Sequence, residues 1–271
     1  MSGPNLSAVD LQEFMIPYLL NGLNRLQSVT DGLLYVFGVL AAAFLAFKYI
    51  MATEETQMQS LRWLAPQVLT MITIAWLASN IADVSYVIHA SLTKAGMMSG
   101  GFDENSTPLY NPVMMLLLST RVFEIMVSTC KIIDWLNPFT IVGAAIGVIC
   151  LIAAGIILFL FTLIKLYHFK AIVIVGSLMV PPGLWPRTAT ITEDWLTHVL
   201  NAGLSMFMLA VCVSLPYDFF KEMNNWNKVS CSAVSFIWIG VSFLAWALIT
   251  VSMTQSFSRL ISKAITLYGS K

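Results

Sequence analysis

The sequence predicts an all-α polytopic membrane protein with about five transmembrane helices, further amphipathic helices and one re-entrant or interfacial segment. Of its 271 residues, 58% are hydrophobic and only 10% are charged, whereas soluble domains carry about 25% charged residues. Several apolar runs reach the roughly 20 residues that a helix needs to cross a bilayer. Fourteen basic and fourteen acidic residues cancel, which argues against a broad basic surface for nucleic acid.

The N-terminal region, residues 1–32, is predicted to be an amphipathic helix on the periplasmic side. Apolar side chains recur at three- and four-residue steps between Leu11 and Gln27, as on one face of a helix, and Pro17 predicts a bend. Three placements remain open for this helix: at the membrane interface, against a partner, or packed on its own subunit. The first residues lack a basic region followed by an apolar core, so we expect insertion to rely on internal segments.

Residues 33–85 are predicted to hold transmembrane helices 1 and 2, at Leu33–Met51 and Leu64–Ala82. Residues 86–140 follow as a periplasmic loop that contains an amphipathic helix. Its glycine-rich, polar part extends from His89 to Asn111. The part from Pro112 to Trp135 has an apolar face but too many charges to cross lipid.

Residues 141–257 are predicted to hold transmembrane helices 3–5, and residues 258–271 form a short cytoplasmic tail. The clearest span is Ile141–Ile164, which contains no charged residue and reaches about 36 Å as a helix. The other two lie near Leu196–Leu215 and Ser235–Met253. Tryptophans near the ends of such segments are expected to be interfacial anchors: Trp135, Trp185, Trp195, Trp226 and Trp238.

A proline-rich break lies in the segment IVIVGSLMVPPGLWPRTATITEDW, between predicted transmembrane helices 3 and 4. The apolar run before it, Ala171–Val180, is about 15 Å long as a helix, which is half of a bilayer core. We therefore predict a re-entrant or interfacial segment, followed by a helix that opens with a capping box of Thr190 and Glu193. The residues expected to form the break and to contact partners are Pro181, Pro182, Gly183, Trp185, Pro186 and Arg187.

The distribution of basic residues favours five spans with the N-terminus in the periplasm and the C-terminus in the cytoplasm. In that arrangement eight bases fall in short cytoplasmic pieces, as the positive-inside rule requires: Lys48, Arg62, Lys165, Lys170, Arg187, Arg259, Lys263 and Lys271. The longer periplasmic pieces hold the other six. A full crossing by the short apolar run would weaken this bias.

Two stripes of small residues indicate close helix packing, because small side chains let backbones approach each other in lipid. The first stripe consists of Gly38, Ala42 and Ala46. The second stripe consists of Gly143, Gly147 and Gly155. For either stripe, packing within one subunit and contact between subunits both remain open.

Catalytic patterns are not found in the sequence. It contains no phosphate-binding loop, no HExxH and no GxSxG, and its three histidines stand far apart. We therefore expect no enzymatic activity, no cofactor and no metal site. Of the four cysteines, Cys130 and Cys231 could form a disulfide if both face an oxidising compartment, and this remains open.

The region FKAIVIVGSLMVPPGLWPRTATITEDWLTHVLNAGLSMFMLAVCVSLP resembles the TrbL-type polytopic inner-membrane proteins of type IV secretion and conjugation machines. In that family a short apolar segment meets a proline-bearing break, a threonine-rich acidic helix start follows, and then a span with small residues. These features correspond to Ala171–Val180, Pro181–Pro186, Thr188–Asp194 and Trp195–Leu215. Longer members carry an extended polar tail, and nothing about that tail is transferred to this sequence.

The resemblance implies a non-enzymatic subunit in the bacterial inner membrane that supports pilus assembly and the translocation of DNA or protein. It implies a homo-oligomeric ring, a pentamer, in contact with minor pilins at the pilus tip, pilin, the secretion ATPase, other inner-membrane subunits and lipid. Transient contact with the translocating substrate is also implied. The main alternative is a stand-alone transporter or channel for a small substrate, and a membrane protease or transferase is a weaker one.

Overall fold

In a computed structural model, the described residues form seven α-helices and one short 3-10 turn, and they contain no β-strand. These residues are 11–51, 54–100, 113–128, 130, 137–185, 187–222 and 232–269. The all-α prediction is confirmed. The helices are α1 (Leu11–Ile50), α2 (Glu54–Ser79), α3 (Ile81–Ser99), α4 (Val113–Ser128), α5 (Pro138–Met179), α6 (Ala189–Glu222) and α7 (Ala233–Gly269), and the turn is Pro181–Leu184.

In the described part of the chain, four stretches of helix are long and apolar enough to cross a membrane, and a bent pair supplies a fifth if it counts as one span. The four are Leu26–Ile50, Pro138–Met179, Ala189–Ser214 and Ala233–Ile261. The pair consists of Leu64–Ser79 and Ile81–Ser99, whose axes differ by 79°. This confirms the prediction of about five transmembrane helices.

The predicted amphipathic N-terminal helix and the first predicted span form one continuous helix, α1. Its 40 residues reach about 60 Å, twice the thickness of a hydrocarbon core of about 30 Å. No proline separates Leu26 from Leu33, and Thr30 turns its hydroxyl onto the carbonyl of Leu26 (3.1 Å). The predicted boundary at residue 33 therefore does not interrupt the helix.

The loop predicted from His89 is wrong for residues 89–99, which belong to α3. The polarity that suggested a loop belongs to side chains that face protein, since Ser85, His89 and Thr93 are all buried. The bend that precedes α3 lies at Asn80, whose side-chain amide donates to the carbonyl of Trp76 (2.9 Å). Residues 101–111 of the predicted loop lie outside the described residues.

The predicted amphipathic helix of residues 112–135 is confirmed in part, as α4. Val122 and Met126 are buried on one face, while Arg121 and Glu124 belong to the more exposed part of the same helix. Residues 131–135 lie outside the described residues. Cys130 is disulfide-bonded, whereas Cys150 and Cys212 carry free thiols, and Cys231 lies outside the described residues.

The short apolar run Ala171–Val180 is not a separate segment, because residues 171–179 form the end of α5. The polar stretch before it, Lys165 to Lys170, contains neither glycine nor proline, so the helix continues through it. The 42 residues of α5 reach about 63 Å, and part of the helix therefore extends beyond a core of about 30 Å.

The chain divides into two compact units. Among the described residues, unit 1 contains those between 90 and 167 and between 202 and 269 together with residues 11–14, and unit 2 contains those between 15 and 89 and between 168 and 201. The hydrophobic core of unit 1 draws on five helices, α3 to α7, with Leu151, Leu158, Leu209 and Phe243 among its most buried side chains.

Unit 2 buries smaller groups of apolar side chains. Ala41 and Leu45 are buried on α1, while Phe169 and Val173 are buried on the last part of α5. The ring of His89 lies 5.0 Å from the ring of Phe169, so this histidine packs inside unit 2.

Candidate functional site: the proline turn and the helix-packing glycines

The proline turn, Pro181–Leu184, joins α5 to α6 as an ordered corner of unit 2. Pro181 and Pro182 lack the amide hydrogen needed to continue α5. The remaining amides bond locally: Gly183 N donates to Val180 O (3.0 Å), and Trp185 N donates to Pro182 O (3.1 Å). Pro181, Gly183 and Leu184 are buried. The break is therefore a folded element in its own right.

Threonine hydroxyls donate further hydrogen bonds to carbonyls at the end of α5 and in the turn. The hydroxyl of Thr192 lies 2.9 Å from Met179 O and 3.2 Å from Val180 O, at the helix end where carbonyls lack intrahelical partners. Thr188 places its hydroxyl on Pro182 O and Trp185 O. The capping box predicted at Thr190 and Glu193 is wrong, because α6 begins at Ala189 and both side chains are exposed.

Trp195 packs α6 against the last part of α5. Its indole Nε1 donates to Ile172 O (2.9 Å), and 6% of the residue is exposed. The ring lies against Gly176, where a Cβ atom would collide with it. Ile172 contacts Trp195 and Met179 contacts Thr192, so the last part of α5 and the first part of α6 run antiparallel. Trp195 is thus a packing residue, which corrects its prediction as an interfacial anchor.

Other helices of unit 2 enclose the proline turn. A Cβ atom on Gly183 would lie 2.5 Å from the Thr192 hydroxyl and 3.2 Å from Cδ1 of Ile74 on α2. The ring of Trp185 contacts Phe44 of α1 edge-on, with centroids 5.2 Å apart. Among the described residues predicted to contact partners here, Arg187 is the exposed one, and Pro186 lies outside the described residues.

In the second stripe, Gly143 and Gly147 lie against the backbone of α7 in unit 1. A Cβ atom on Gly143 would lie 2.6 Å from Cβ of Ala233, and one on Gly147 would lie 2.6 Å from Phe236 O. Gly240 of α7 approaches Gly147 O equally closely. Gly155, the third member, is buried. Small residues therefore let α5 and α7 approach at backbone distance.

The first stripe is not covered within the described chain. A Cβ atom on Gly38 would meet nothing within 4 Å, and Ala42 and Ala46 are exposed. Large apolar side chains around it are exposed as well, including Tyr35 and Phe47. Its role as a packing surface therefore stays a prediction.

Sequence reasoning missed a third close helix contact, at Gly96 and Gly100 of α3. A Cβ atom on Gly96 would lie 2.6 Å from Phe207 O and from Cβ of Ala210 on α6, and Gly100 lies against Ser214. The spacing of these glycines is the same GxxxG pattern as in the second stripe. It was overlooked because the surrounding segment was predicted to be a loop.

Within the described residues, no group of three or more His, Cys, Asp or Glu side chains could hold a metal ion. The polar groups of the proline turn donate to backbone carbonyls. The described site is thus a set of close contacts between helices of one protomer.

Comparison with known families gives one match, to the TrbL/VirB6 plasmid conjugal transfer protein family, over residues 38–256. No curated protein sequence matches, and no solved structure does. The matched range contains the proline turn and every residue of both stripes. The chain therefore belongs to the TrbL/VirB6 plasmid conjugal transfer family, and it is a multi-pass membrane component of conjugal transfer or type IV secretion whose partners are other components of such systems.

Proposed function

We propose that the protein is a non-enzymatic subunit of the bacterial inner membrane that forms a homo-oligomeric ring, a pentamer, in a type IV secretion machine. The ring serves as a channel or scaffold that supports pilus assembly and the passage of DNA or protein. Minor pilins, pilin, the secretion ATPase and other inner-membrane subunits are its proposed partners. The family match carries the proposal, since it covers most of the chain.

The exposure of α1 supports assembly through the first stripe. In the most apolar window of this span only 11% of the residues are buried, compared with 50% for the span in α6. Helices do not associate in lipid through the hydrophobic effect, and a small-residue face is what allows a second helix to approach. We therefore assign the first stripe to contact between copies of the chain.

The disulfide of Cys130 supports the proposed orientation. Disulfides persist in the periplasm and are rare in the cytoplasm, so the segment after α4 is assigned to the periplasmic side. Cys150 and Cys212 have free thiols, and Cys231, the other residue of the disulfide left open by the sequence, lies outside the described residues. With five spans, a periplasmic segment after α4 supports a periplasmic N-terminus and a cytoplasmic C-terminus.

An in-frame deletion in the native host tests the proposal. We expect the deletion to abolish transfer of the host's own conjugative or secreted substrate and to remove its pili, and we expect the wild-type gene to restore both. A host that transfers its substrate at the parental rate without the gene would refute the secretion role. A defect confined to the uptake of a small solute would favour the transporter instead.

A further inference from the structure

Among the described residues of unit 1, four buried hydroxyl groups have no hydrogen-bond partner. They belong to Thr93, Thr162, Ser205 and Thr250, and each of these residues is between 0 and 2% exposed. The four stand on four different helices, α3, α5, α6 and α7. In the membrane-spanning part of a protein, serine and threonine hydroxyls are usually satisfied by a carbonyl of the preceding turn or by a neighbouring helix.

The register of α5 against α7 places two of the four hydroxyls at one level. Gly143 meets Ala233, while Gly147 meets Phe236 and Gly240, so the two helices run parallel. Thr162 lies about 28 Å beyond Gly143, and Thr250 lies about 26 Å beyond Ala233, at a rise of about 1.5 Å per residue. The two levels therefore agree to within one helical turn.

The register of α3 against α6 brings the other two to a common level. Gly96 meets Phe207 and Ala210, and Gly100 meets Ser214, so these helices also run parallel. Thr93 lies about one turn before Gly96 on α3. Ser205 lies about one turn before the midpoint of Phe207 and Ala210, the two residues that Gly96 meets on α6. The two hydroxyl residues are consequently neighbours along the helix axes.

A hydrogen bond between α6 and α7 connects the two pairs. The indole of Trp246 donates to Cys212 O (3.0 Å). Because these positions are almost equally far from the end of α6 at Glu222 and the start of α7 at Ala233, the two helices run antiparallel. Measured along the helix axes, Ser205 lies about 10 Å from Cys212, and Thr250 lies about 6 Å from Trp246 in the same direction. All four residues thus fall within about one helical turn.

Each of the four residues also stands on the core-facing side of its helix. Thr162 follows Leu158 by four residues, and Thr250 follows Ala247 by three, while Thr93 precedes Met97 by four. Ser205 precedes Leu209 by four, and these neighbours all belong to the core of unit 1. Residues at such spacings lie on one helix face, so the four hydroxyls converge on one layer of the core.

We propose that this hydroxyl layer (Thr93, Thr162, Ser205 and Thr250) encloses ordered water inside unit 1. A buried hydroxyl without a partner destabilises the fold, and buried water typically bonds to about three such groups. A hydroxyl can both donate and accept. None of the four side chains is charged and all are closed off from the surface, so the site suits a small neutral ligand. This site is independent of the proposed secretion role.

Thr254 provides a matched control for the layer. It is as buried as Thr250, but its hydroxyl is satisfied by Thr250 O (2.8 Å). The measurement is the thermal midpoint of the full-length protein in lipid nanodiscs, for Thr93→Val, Thr162→Val, Ser205→Ala, Thr250→Val and Thr254→Val. With water present, each of the first four should lower the midpoint by about 2–4 °C, since the water and the other hydroxyls lose a partner. Thr254→Val should change it by less than about 2 °C.

The sign of the shift decides between a wet and a dry layer. In a dry layer, valine removes an unsatisfied hydroxyl without changing the shape, so the midpoint would rise, and this result would overturn the proposal.

Radiolytic hydroxyl labelling then separates water from direct bonds between the hydroxyls. Met206, adjacent to Ser205 and 1% exposed, should be oxidised more rapidly than Met126, which is buried on α4, a helix without a member of the layer. Lowered midpoints with no excess oxidation of Met206 would mean that the hydroxyls bond directly to each other, which also overturns the proposal.

Discussion

The two stripes of small residues look alike in sequence and differ in what the fold places against them. The second stripe, on α5, meets α7 so closely that a single added Cβ at Gly147 would lie 2.6 Å from a backbone oxygen. The first stripe, on α1, has nothing within 4 Å of the corresponding position at Gly38. The second stripe is covered by α7 within the protomer, whereas the first stripe is not covered by the described part of the chain.

This difference teaches that a small-residue pattern identifies a helix face that a backbone can approach, without identifying the helix that approaches it. α5 lies among other helices of unit 1, with Leu151, Ala154 and Leu158 wholly buried. α1 exposes most of its apolar side chains. We therefore assign the first stripe to contact between copies of the chain.

The largest expected effect comes from filling the second stripe. Gly147→Val should prevent folding or lower the thermal midpoint in nanodiscs by about 6–12 °C, because overpacking against backbone costs about 3 kcal/mol. Gly38→Val, which makes the same chemical change in open space, should leave the midpoint of the dissociated protomer within about 2 °C. Equal losses for the two variants would remove the distinction between the stripes.

The next effect concerns assembly. Gly38→Val should reduce the assembly to single protomers or to a smaller species, because the added methyl groups keep a second helix from approaching the first stripe. Native mass spectrometry of the protein released from lipid measures the change, and the wild type should give a pentamer. A Gly38→Val protein that assembles like the wild type would show that the stripe faces only lipid.

A smaller effect is expected at the proline turn, where a hydrogen bond accompanies the close approach at Gly183. Thr192→Val keeps the shape but leaves the carbonyls of Met179 and Val180 without their hydroxyl partner, which should cost about 1–2 kcal/mol. The midpoint should fall by about 2–6 °C. Thr190→Val, two residues earlier and exposed, is the control and should have almost no effect. A similar fall for both would mean that the corner does not depend on this contact.

The smallest effect is a gain. Gly38→Ala should raise the midpoint of the dissociated protomer by about 2–4 °C, because alanine is better than glycine in a helix by about 1 kcal/mol and meets no neighbour within the protomer. Gly143→Ala should lower it, since the new Cβ would lie 2.6 Å from Cβ of Ala233. Opposite signs would sharpen the comparison, and a loss at both positions would contradict it.

Hydropathy and spacing predicted the fold class, the number of spans and the family resemblance, because those depend on long apolar runs and on a distinctive proline-rich segment. They did not predict α3, because some of its polar side chains, such as His89 and Thr93, are buried against protein and lower the hydropathy of the segment as if they faced water. They also divided α1 and α5 at polar stretches through which a helix continues. Polarity along a chain marks where water or protein could solvate a group, and only the tertiary fold distinguishes the two.

The proline turn shows the same limit on a smaller scale. Three prolines in the sequence predicted a break in the helix, and the break is present. No pattern in the sequence predicted that Thr192 and Trp195 would contact Met179 and Ile172, because those contacts depend on the antiparallel packing of α6 against the last part of α5. The predicted capping residue Thr190 lies inside α6, because the helix begins at Ala189.

The central claim, that the chain is a subunit of a type IV secretion machine, is tested most directly by gentle extraction from the native host. The extract is separated by size after mild cross-linking, and the proteins that migrate with the chain are identified by mass spectrometry. We predict co-migration with the secretion ATPase, pilus components and other inner-membrane secretion subunits. Migration as a small homo-oligomer without any of them would contradict the account and favour a stand-alone transporter.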